Sequence, residues 1–310
     1  MDWRERVRHR PVLVREVLEY LSPERGGLFF DGTLGDGGHS EAILDAGAGA
    51  RVIGVDQDPE ALEVAAGRLA RFGDRVRLVQ SNFAEAALEV EEPLSGALLD
   101  LGLSSRHLDE RARGFSFRPG TPLDMRMAGS GSTLPTAADL LNELPESELA
   151  DLFYRYGEER RSRRLAAAVV ARRREKPFDT SDDLLAVIEG VLGPRLDNQD
   201  RARLFQALRI AVNDELGVLE RVLPALRDRL APGGVLVVIS YHSLEDRLVK
   251  DAFRDWSRSC ICPPELPVCR CRGEPLGEAL TRRPVFPSEE EVASNPRARS
   301  ARLRAWRKAA

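Results

Sequence analysis

Few patterns restrict a chain as tightly as a glycine-dense turn between an apolar strand and a helix. The stretch Phe29-Phe30-Asp31-Gly32-Thr33-Leu34-Gly35-Asp36-Gly37-Gly38-His39-Ser40 is such a pattern. The phenylalanines read as the end of a short strand, and a helix is expected from near Ser40 through Glu41-Ala42-Ile43-Leu44. Glycine permits positive φ and exposes backbone that a Cβ would shield from a ligand. The first turn of the helix offers N–H groups and the positive end of its dipole. A second strand, Ala50-Arg51-Val52-Ile53-Gly54-Val55, ends in Asp56. That acid follows the glycines by about 20 residues, where doubly wound nucleotide folds place a carboxylate for the ribose hydroxyls. Together the two signals point to a nucleoside-bearing cofactor.

The order of elements extends this reading. Pro11 suits the first turn of a helix in which Val14, Val17, Leu18 and Leu21 recur at helical spacing. Pro59 opens another helix, with Ala61, Leu62, Ala65 and Leu69 on one face. Val76 to Gln80 and Gly96 to Gly102 read as third and fourth strands. Strands alternating with helices argue for a parallel sheet covered on both faces. Ligands of such sheets bind beyond the carboxyl ends of the strands, and Asp31, Asp56, Asn82, Phe83 and Asp100 all fall at or near such ends.

From His107 to about Asp200 strand character disappears. A turn-rich loop (114–127) and the link Gly129-Ser130-Gly131-Ser132 lead into helical segments at Thr136–Leu144, Glu146–Arg155, Glu158–Glu175 and Thr180–Leu192. Two further helical patterns, divided near Gly217, precede Val235-Leu236-Val237-Val238-Ile239-Ser240, the most apolar strand. A helix is expected from Leu244 to Trp256, and a strand from Thr281 to Phe286. The reading is an α/β domain, residues 1–106 and 203–310, interrupted by an inserted helical domain, residues 107–202.

Composition narrows the class. With 310 residues, 43% hydrophobic content and a net charge of −4, the chain reads as globular rather than disordered. No apolar run approaches the roughly 18 residues needed to span a bilayer. Charges run through the first twenty residues, so no secretory signal is expected, and the expected compartment is the cytoplasm. Net charge alone speaks against RNA, but its distribution does not. Between Arg155 and Lys176 there are nine basic residues against three acidic, and from Arg297 to Lys308 six basic and none acidic. Such stripes can track phosphates; the plain alternative is a solvated face.

Several segments together resemble the bacterial MraW/RsmH family of methyltransferases, which act on N4 of a cytosine in small-subunit ribosomal RNA. They are Asp31-Gly-Thr-Leu-Gly-Asp-Gly-Gly-His39, Leu99-Asp-Leu-Gly-Leu-Ser-Ser105, Gly114-Phe-Ser-Phe117, Pro122-Leu-Asp-Met-Arg-Met127, Tyr156-Gly-Glu-Glu159, Phe205-Gln-Ala-Leu-Arg209, Ile239-Ser-Tyr-His-Ser-Leu-Glu-Asp-Arg247 and Asn295-Pro-Arg-Ala-Arg-Ser300. The resemblance implies S-adenosylmethionine (SAM) as cofactor and a Rossmann-like sheet with an inserted all-helical recognition domain. It implies methylation at the decoding region, with small-subunit RNA or a 30S particle as partner and no membrane association. Position by position, it implies that Gly37, Gly38 and His39 line the methionine end of the cofactor. Asp56 takes the ribose, Phe83 packs on the adenine, and Asp100 and His107 complete the pocket. Two positions depart from commoner patterns: Thr33 stands where many methyltransferases have glycine, and His107 where relatives carry glutamine.

Methyl transfer from a sulfonium requires nucleophile, methyl carbon and sulfur in line, with water excluded. Many amino-methyltransferases place an acid or amide, two prolines and an aromatic at the end of the fourth strand. This chain has Asp100-Leu101-Gly102-Leu103 instead. Asp100 is therefore expected to orient the cofactor, while Asp124 or His242 contacts the base. His9 is also suggestively placed. Phe115 and Phe117 either stack an extruded base or fill a domain seam. Cys260-x-Cys262 and Cys269-x-Cys271 put four thiols within twelve residues, a pattern that in a reducing compartment suggests a structural zinc tetrathiolate over disulfides. Two other functions stay open on the residues alone. An NAD-dependent oxidoreductase would use the same socket, and a non-catalytic RNA-binding assembly factor would merely retain the fold. The oligomeric state is open as well.

Overall fold

The computed structural model describes residues 11–310 apart from 105, 106, 108, 130, 194, 195, 261, 263–267, 269 and 272. His9 and Cys269 lie outside the described residues. The strands are β1 (Gly27–Asp31), β2 (Ala50–Asp56), β3 (Val76–Gln80), β4 (Leu94–Asp100), β5 (Leu230–Ser240), β6 (Gly277–Ala279) and β7 (Arg302–Lys308). The helices, in chain order, are α1 (Val14–Leu21), α2 (Gly38–Ala46), α3 (Pro59–Leu69), α4 (Phe83–Glu89), α5 (Ala137–Glu143) and α6 (Glu146–Arg155). They continue with α7 (Ser162–Glu175), α8 (Ser181–Leu192), α9 (Asn198–Asn213), α10 (Glu215–Arg229), α11 (Ser243–Trp256) and α12 (Glu289–Ser294). The chain divides into two compact units, Met1–Gly102 with Leu216–Ala310, and Leu103–Glu215.

In the first unit the strands make one sheet, ordered β3-β2-β1-β4-β5-β7-β6. β1 to β5 run parallel, while β7 is antiparallel to both β5 and β6. Alternation along each strand separates two cores. Phe29 and Leu98 point to one face, where Val17, Leu21, Ile43, Leu44, Ala65 and Leu69 from α1, α2 and α3 cover them. Phe30 and Leu99 point to the other, covered by Ala87, Val222, Val249 and Phe253 from α4, α10 and α11. The α/β sheet with helices on both faces agrees with the alternation read in the sequence.

The tail differs from expectation. Thr281 to Phe286 forms no strand and contributes an isolated bridge between Val285 and Leu303. The seven residues Arg302 to Lys308, read as a basic stripe, are instead a sheet strand between β5 and β6. Leu303 and Ala305 face one core and Trp306 the other. Arg304 is buried because its guanidinium makes two bonds to Asp246, 2.6 and 3.1 Å long. A buried cation of this kind persists only when paired.

The second unit is helical around its own core, which includes Leu123, Leu141, Phe153, Leu165, Ile188 and Leu208. It extends to Glu215 and not to residue 202, because α9 buries Leu204, Phe205 and Leu208 in this core. The break before α10 falls at Asp214, in the left-handed region at φ 47°, rather than at Gly217. Helix α7 begins at Ser162, four residues later than expected from Glu158. Thr136 and Thr180 cap α5 and α8 through reciprocal capping boxes with Asp139 and Asp183. The basic stripe from Arg155 to Lys176 is partly structural. Arg172 pairs with Asp183, and Arg173 donates to the carbonyls of Leu141 and Leu144, while Arg160, Arg163, Arg164 and Arg174 are exposed.

Candidate active site

The carboxyl ends of β1, β2, β3 and β4 carry Asp31, Asp56, the Asn82-Phe83 pair and Asp100 within the first unit. Each following helix starts in a way that keeps backbone donors at this edge. Asp58 caps α3 by accepting from Glu60 N–H, and Asn82 caps α4 by accepting from Ala84 N–H. α2 has no side-chain cap. Its N-cap is Gly37, in the left-handed region at φ 80°, so the first-turn N–H groups are left for an anionic partner.

The glycines of the turn have different reasons to be glycine. A Cβ on Gly32 would lie 2.6 Å from Leu99 Cδ2, and one on Gly38 would lie 2.9 Å from Pro11 Cγ. Close packing therefore requires both. Gly37 also faces protein, with Leu69 and Ala65 3.3 to 3.4 Å from a Cβ there. Gly35 has nothing within 4 Å in that direction, and its φ of +52° is the demand. The glycines expected to line the cofactor, Gly37 and Gly38, thus turn their missing side chains toward protein and offer backbone to the turn.

Asp56 accepts Gly35 N–H on Oδ2 at 2.8 Å and Asp58 N–H on Oδ1 at 2.9 Å. One donor per oxygen leaves lone pairs for two hydroxyls. Burial pushes its carboxyl up to about 6, against those two backbone bonds. Asp31 is fully buried and accepts from Ser40 Oγ at 2.6 Å and from Thr33 N–H at 3.3 Å. Burial raises its carboxyl too, with a smaller upward push from Asp100.

Asp100 is the centre of a second set of bonds. Its backbone N–H donates to Thr33 Oγ1 at 2.6 Å, and its Oδ1 accepts from the Tyr241 hydroxyl at 2.9 Å. Thr33, the departure from the commoner glycine, therefore ties the ends of β1 and β4 together. Burial, and then the neighbouring Asp100 carboxylate, raise the Tyr241 phenol well above its ordinary value, so it stays a donor. His39 is buried, with Nε2 2.8 Å from the Val12 carbonyl oxygen and Nδ1 3.8 Å from Asp100 Oδ2. The first distance makes Nε2 the protonated nitrogen. The second is too long for a hydrogen bond.

His242, expected at the base, is the N-cap of α11. Its Nδ1 accepts from Glu245 N–H at 3.4 Å, and Glu245 Oε2 accepts from Tyr241 N–H at 2.9 Å. The His242 ring is thus engaged in starting a helix. Asp124, also expected at the base, is bound within the second unit by both arms of Arg126, at 2.9 and 2.7 Å. Burial acts upward on its carboxyl, but Arg126 outweighs it and the net direction is down. His107 is buried in the second unit against Phe115, ring centroids 5.0 Å apart, while Phe117 packs on Phe205 at 5.8 Å. Both phenylalanines have an aromatic partner within that unit and remain half-exposed. The structure therefore gathers Gly37, Gly38, His39, Asp56, Phe83 and Asp100 in one unit, and places His107 and Asp124 in the other.

Sequence reading missed the roles of Thr33 and Tyr241. Thr33 carried a signal as a departure from pattern, and Tyr241 as an aromatic following the most apolar strand. Three of the four expected metal ligands, Cys260, Cys262 and Cys271, bring their sulfurs within 4.8 Å of one another.

A family model described as the MraW methylase family matches residues 6–309. A protein of Gemmatimonas aurantiaca named "Ribosomal RNA small subunit methyltransferase H" is 53% identical over 306 residues, covering 97% of this chain and 95% of its own. Proteins of the same name from Heliobacterium mobile and Anaeromyxobacter dehalogenans are 50% and 53% identical, each covering 97% of this chain and 98% of the relative.

Proposed function

The chain belongs to the MraW methylase family, and from that premise we propose that it methylates N4 of a cytidine in the decoding region of small-subunit ribosomal RNA, using SAM. The coarser chemistry, SAM-dependent methylation of RNA, follows from membership together with the names of relatives half identical over nearly the whole chain. The nucleotide and its atom rest on the motif resemblance. No helix among the described residues is long and apolar enough to cross a membrane.

The observation that carries the cofactor assignment is Asp56. It is a carboxylate at the end of β2 with one backbone donor on each oxygen and no Lys or Arg partner among the described residues. That donor set suits a pair of vicinal hydroxyls, which a ribose presents. The uncapped start of α2 suits a carboxylate, and Phe83 at the start of α4 supplies an apolar wall. When bound, SAM supplies a methyl group activated on a sulfonium. In our reading Asp56 would accept from the ribose and the first turn of α2 would donate to the methionine carboxylate. Asp100, held by Tyr241 and anchored through Thr33, would face the methionine ammonium. His39 would pack beside it with its proton on Nε2. For the acceptor, the reading keeps Asp124 or His242 as the group that contacts the base.

The test is transfer of tritium from methyl-labelled SAM to small-subunit RNA, offered naked and as assembled 30S particles, followed by digestion to nucleosides. Label in N4-methylcytidine is expected. Label in another nucleoside, or none with either substrate, would refute the assignment. An Asp100→Ala variant with normal SAM affinity but no turnover would move Asp100 from the cofactor to the acceptor.

A further inference from the structure

Between α11 and β6 the chain makes an excursion whose described residues are not held by hydrophobic burial. None of the described residues from Arg258 to Pro275 is buried. Its base is closed where Leu276 N–H donates to the Trp256 carbonyl at 2.8 Å, and above that bond none of the described residues adds a buried side chain. A stretch without buried apolar side chains can be fastened instead by a cross-link or a metal.

The cysteine sulfurs sit where a metal would put them. Cys260 and Cys271 Sγ are 3.8 Å apart. With Zn–S bonds of about 2.3 Å, the edge of a tetrahedral tetrathiolate is about 3.8 Å. A disulfide would need about 2.0 Å. Cys262 Sγ joins the same cluster, with all three sulfurs within 4.8 Å, and it accepts Arg270 N–H at 3.4 Å. The fourth thiol, Cys269, repeats toward Cys271 the one-residue spacing of Cys260 to Cys262.

We propose that Cys260, Cys262, Cys269 and Cys271 bind one structural zinc ion as a tetrathiolate that fastens this excursion. Binding converts four thiols to thiolates and releases their protons, leaving a site of net charge −2. All four coordination positions are protein sulfur, so no position remains for water or substrate and the ion takes no part in methyl transfer.

The full-length protein, purified without chelator, is to be analysed for metal and then exchanged with cobalt. About one zinc per chain and the visible spectrum of tetrahedral cobalt thiolate are expected. Cys262→Ser and Cys269→Ser should each weaken metal retention at least roughly tenfold and leave SAM affinity unchanged, which separates loss of metal from loss of fold. Should the serine variants fail to fold, the wild-type cobalt spectrum decides, because the thiolate-to-cobalt charge-transfer intensity counts the sulfur ligands. The proposal is overturned by a wild-type protein that takes up neither metal, by disulfides among these cysteines in non-reducing peptide maps, by fewer than four sulfur ligands, or by folded serine variants that retain zinc.

Discussion

The second unit and the strand ends of the first handle their acids in opposite ways. In the second unit they are matched with arginine: Asp124 with Arg126, Asp183 with Arg172, Glu159 with Arg203 and Glu215 with Arg209. For Asp124 and Asp183 the net direction of the carboxyl is down. For Asp183, burial is outweighed by the N–H groups of Thr180 and Asp179 and by Lys176. At the carboxyl ends of the parallel strands, Asp31, Asp56 and Asp100 have hydroxyl, backbone or histidine neighbours and no Lys or Arg among the described residues. Burial raises Asp31 and Asp56. Acids of the first kind hold a fold together. Acids of the second kind are carried at a cost that a ligand can offset.

The largest effect should come from Asp56. Replacing it with alanine removes two charge-assisted bonds to the ribose, worth about 3 kcal/mol together, so SAM should bind about 100-fold more weakly. Calorimetric titration measures this, and a loss under about fivefold would place Asp56 with the structural acids.

Breaking a pair in the second unit should act on stability instead. Arg126→Ala leaves the half-buried Asp124 without its guanidinium and should cost about 1–3 kcal/mol of unfolding free energy. SAM affinity should be unchanged. Denaturant unfolding followed beside ligand binding reads both, and a variant that loses SAM without losing stability would erase the contrast.

The pH dependence has a definite sign. Asp56 must be ionised to accept two hydroxyls, so SAM affinity should rise as pH increases through about 6 and level off above it. The change between pH 7 and pH 5 should be about tenfold, and Asp56→Asn should flatten it. Stability of the ligand-free protein runs the other way. With the folded value raised above an unfolded one near 4, ionising Asp56 costs stability as pH rises from about 4 to about 6. A ligand-free melting temperature that climbs across that window, once other carboxylates are controlled with Asp56→Asn, would contradict this.

The smallest effect is expected at Tyr241. Tyr241→Phe removes one bond to Asp100, worth about 1 kcal/mol, and should raise the KM for SAM about fivefold. An unchanged KM with a lower kcat would instead put Asp100 on the acceptor side.

Much of the site was legible because it is written locally. A strand, a glycine turn and a helix are neighbours in sequence, and Asp56 and Asp100 end strands whose apolar runs are plain. The missed roles are non-local. Thr33 meets Asp100 and Tyr241 meets Asp100 across 67 and 141 residues, and no spacing rule reaches that far. β7 was hidden for another reason. Its alternating arginines resemble an exposed stripe until Asp246 is seen to neutralise Arg304 inside the sheet.

By itself, then, the order of residues determined the helices, most strands, the interrupted α/β plan and the acids at the strand ends. Periodicity and turn chemistry act within a few residues, and those elements obey them. Tertiary structure alone decided that the last strand slips between β5 and β6, that Thr33 links two strand ends, and that three cysteine sulfurs converge. It also decided which acids receive an arginine and which do not. Each of those outcomes depends on which distant group fills the remaining hydrogen-bonding or charge capacity, and only the folded chain brings such groups within reach.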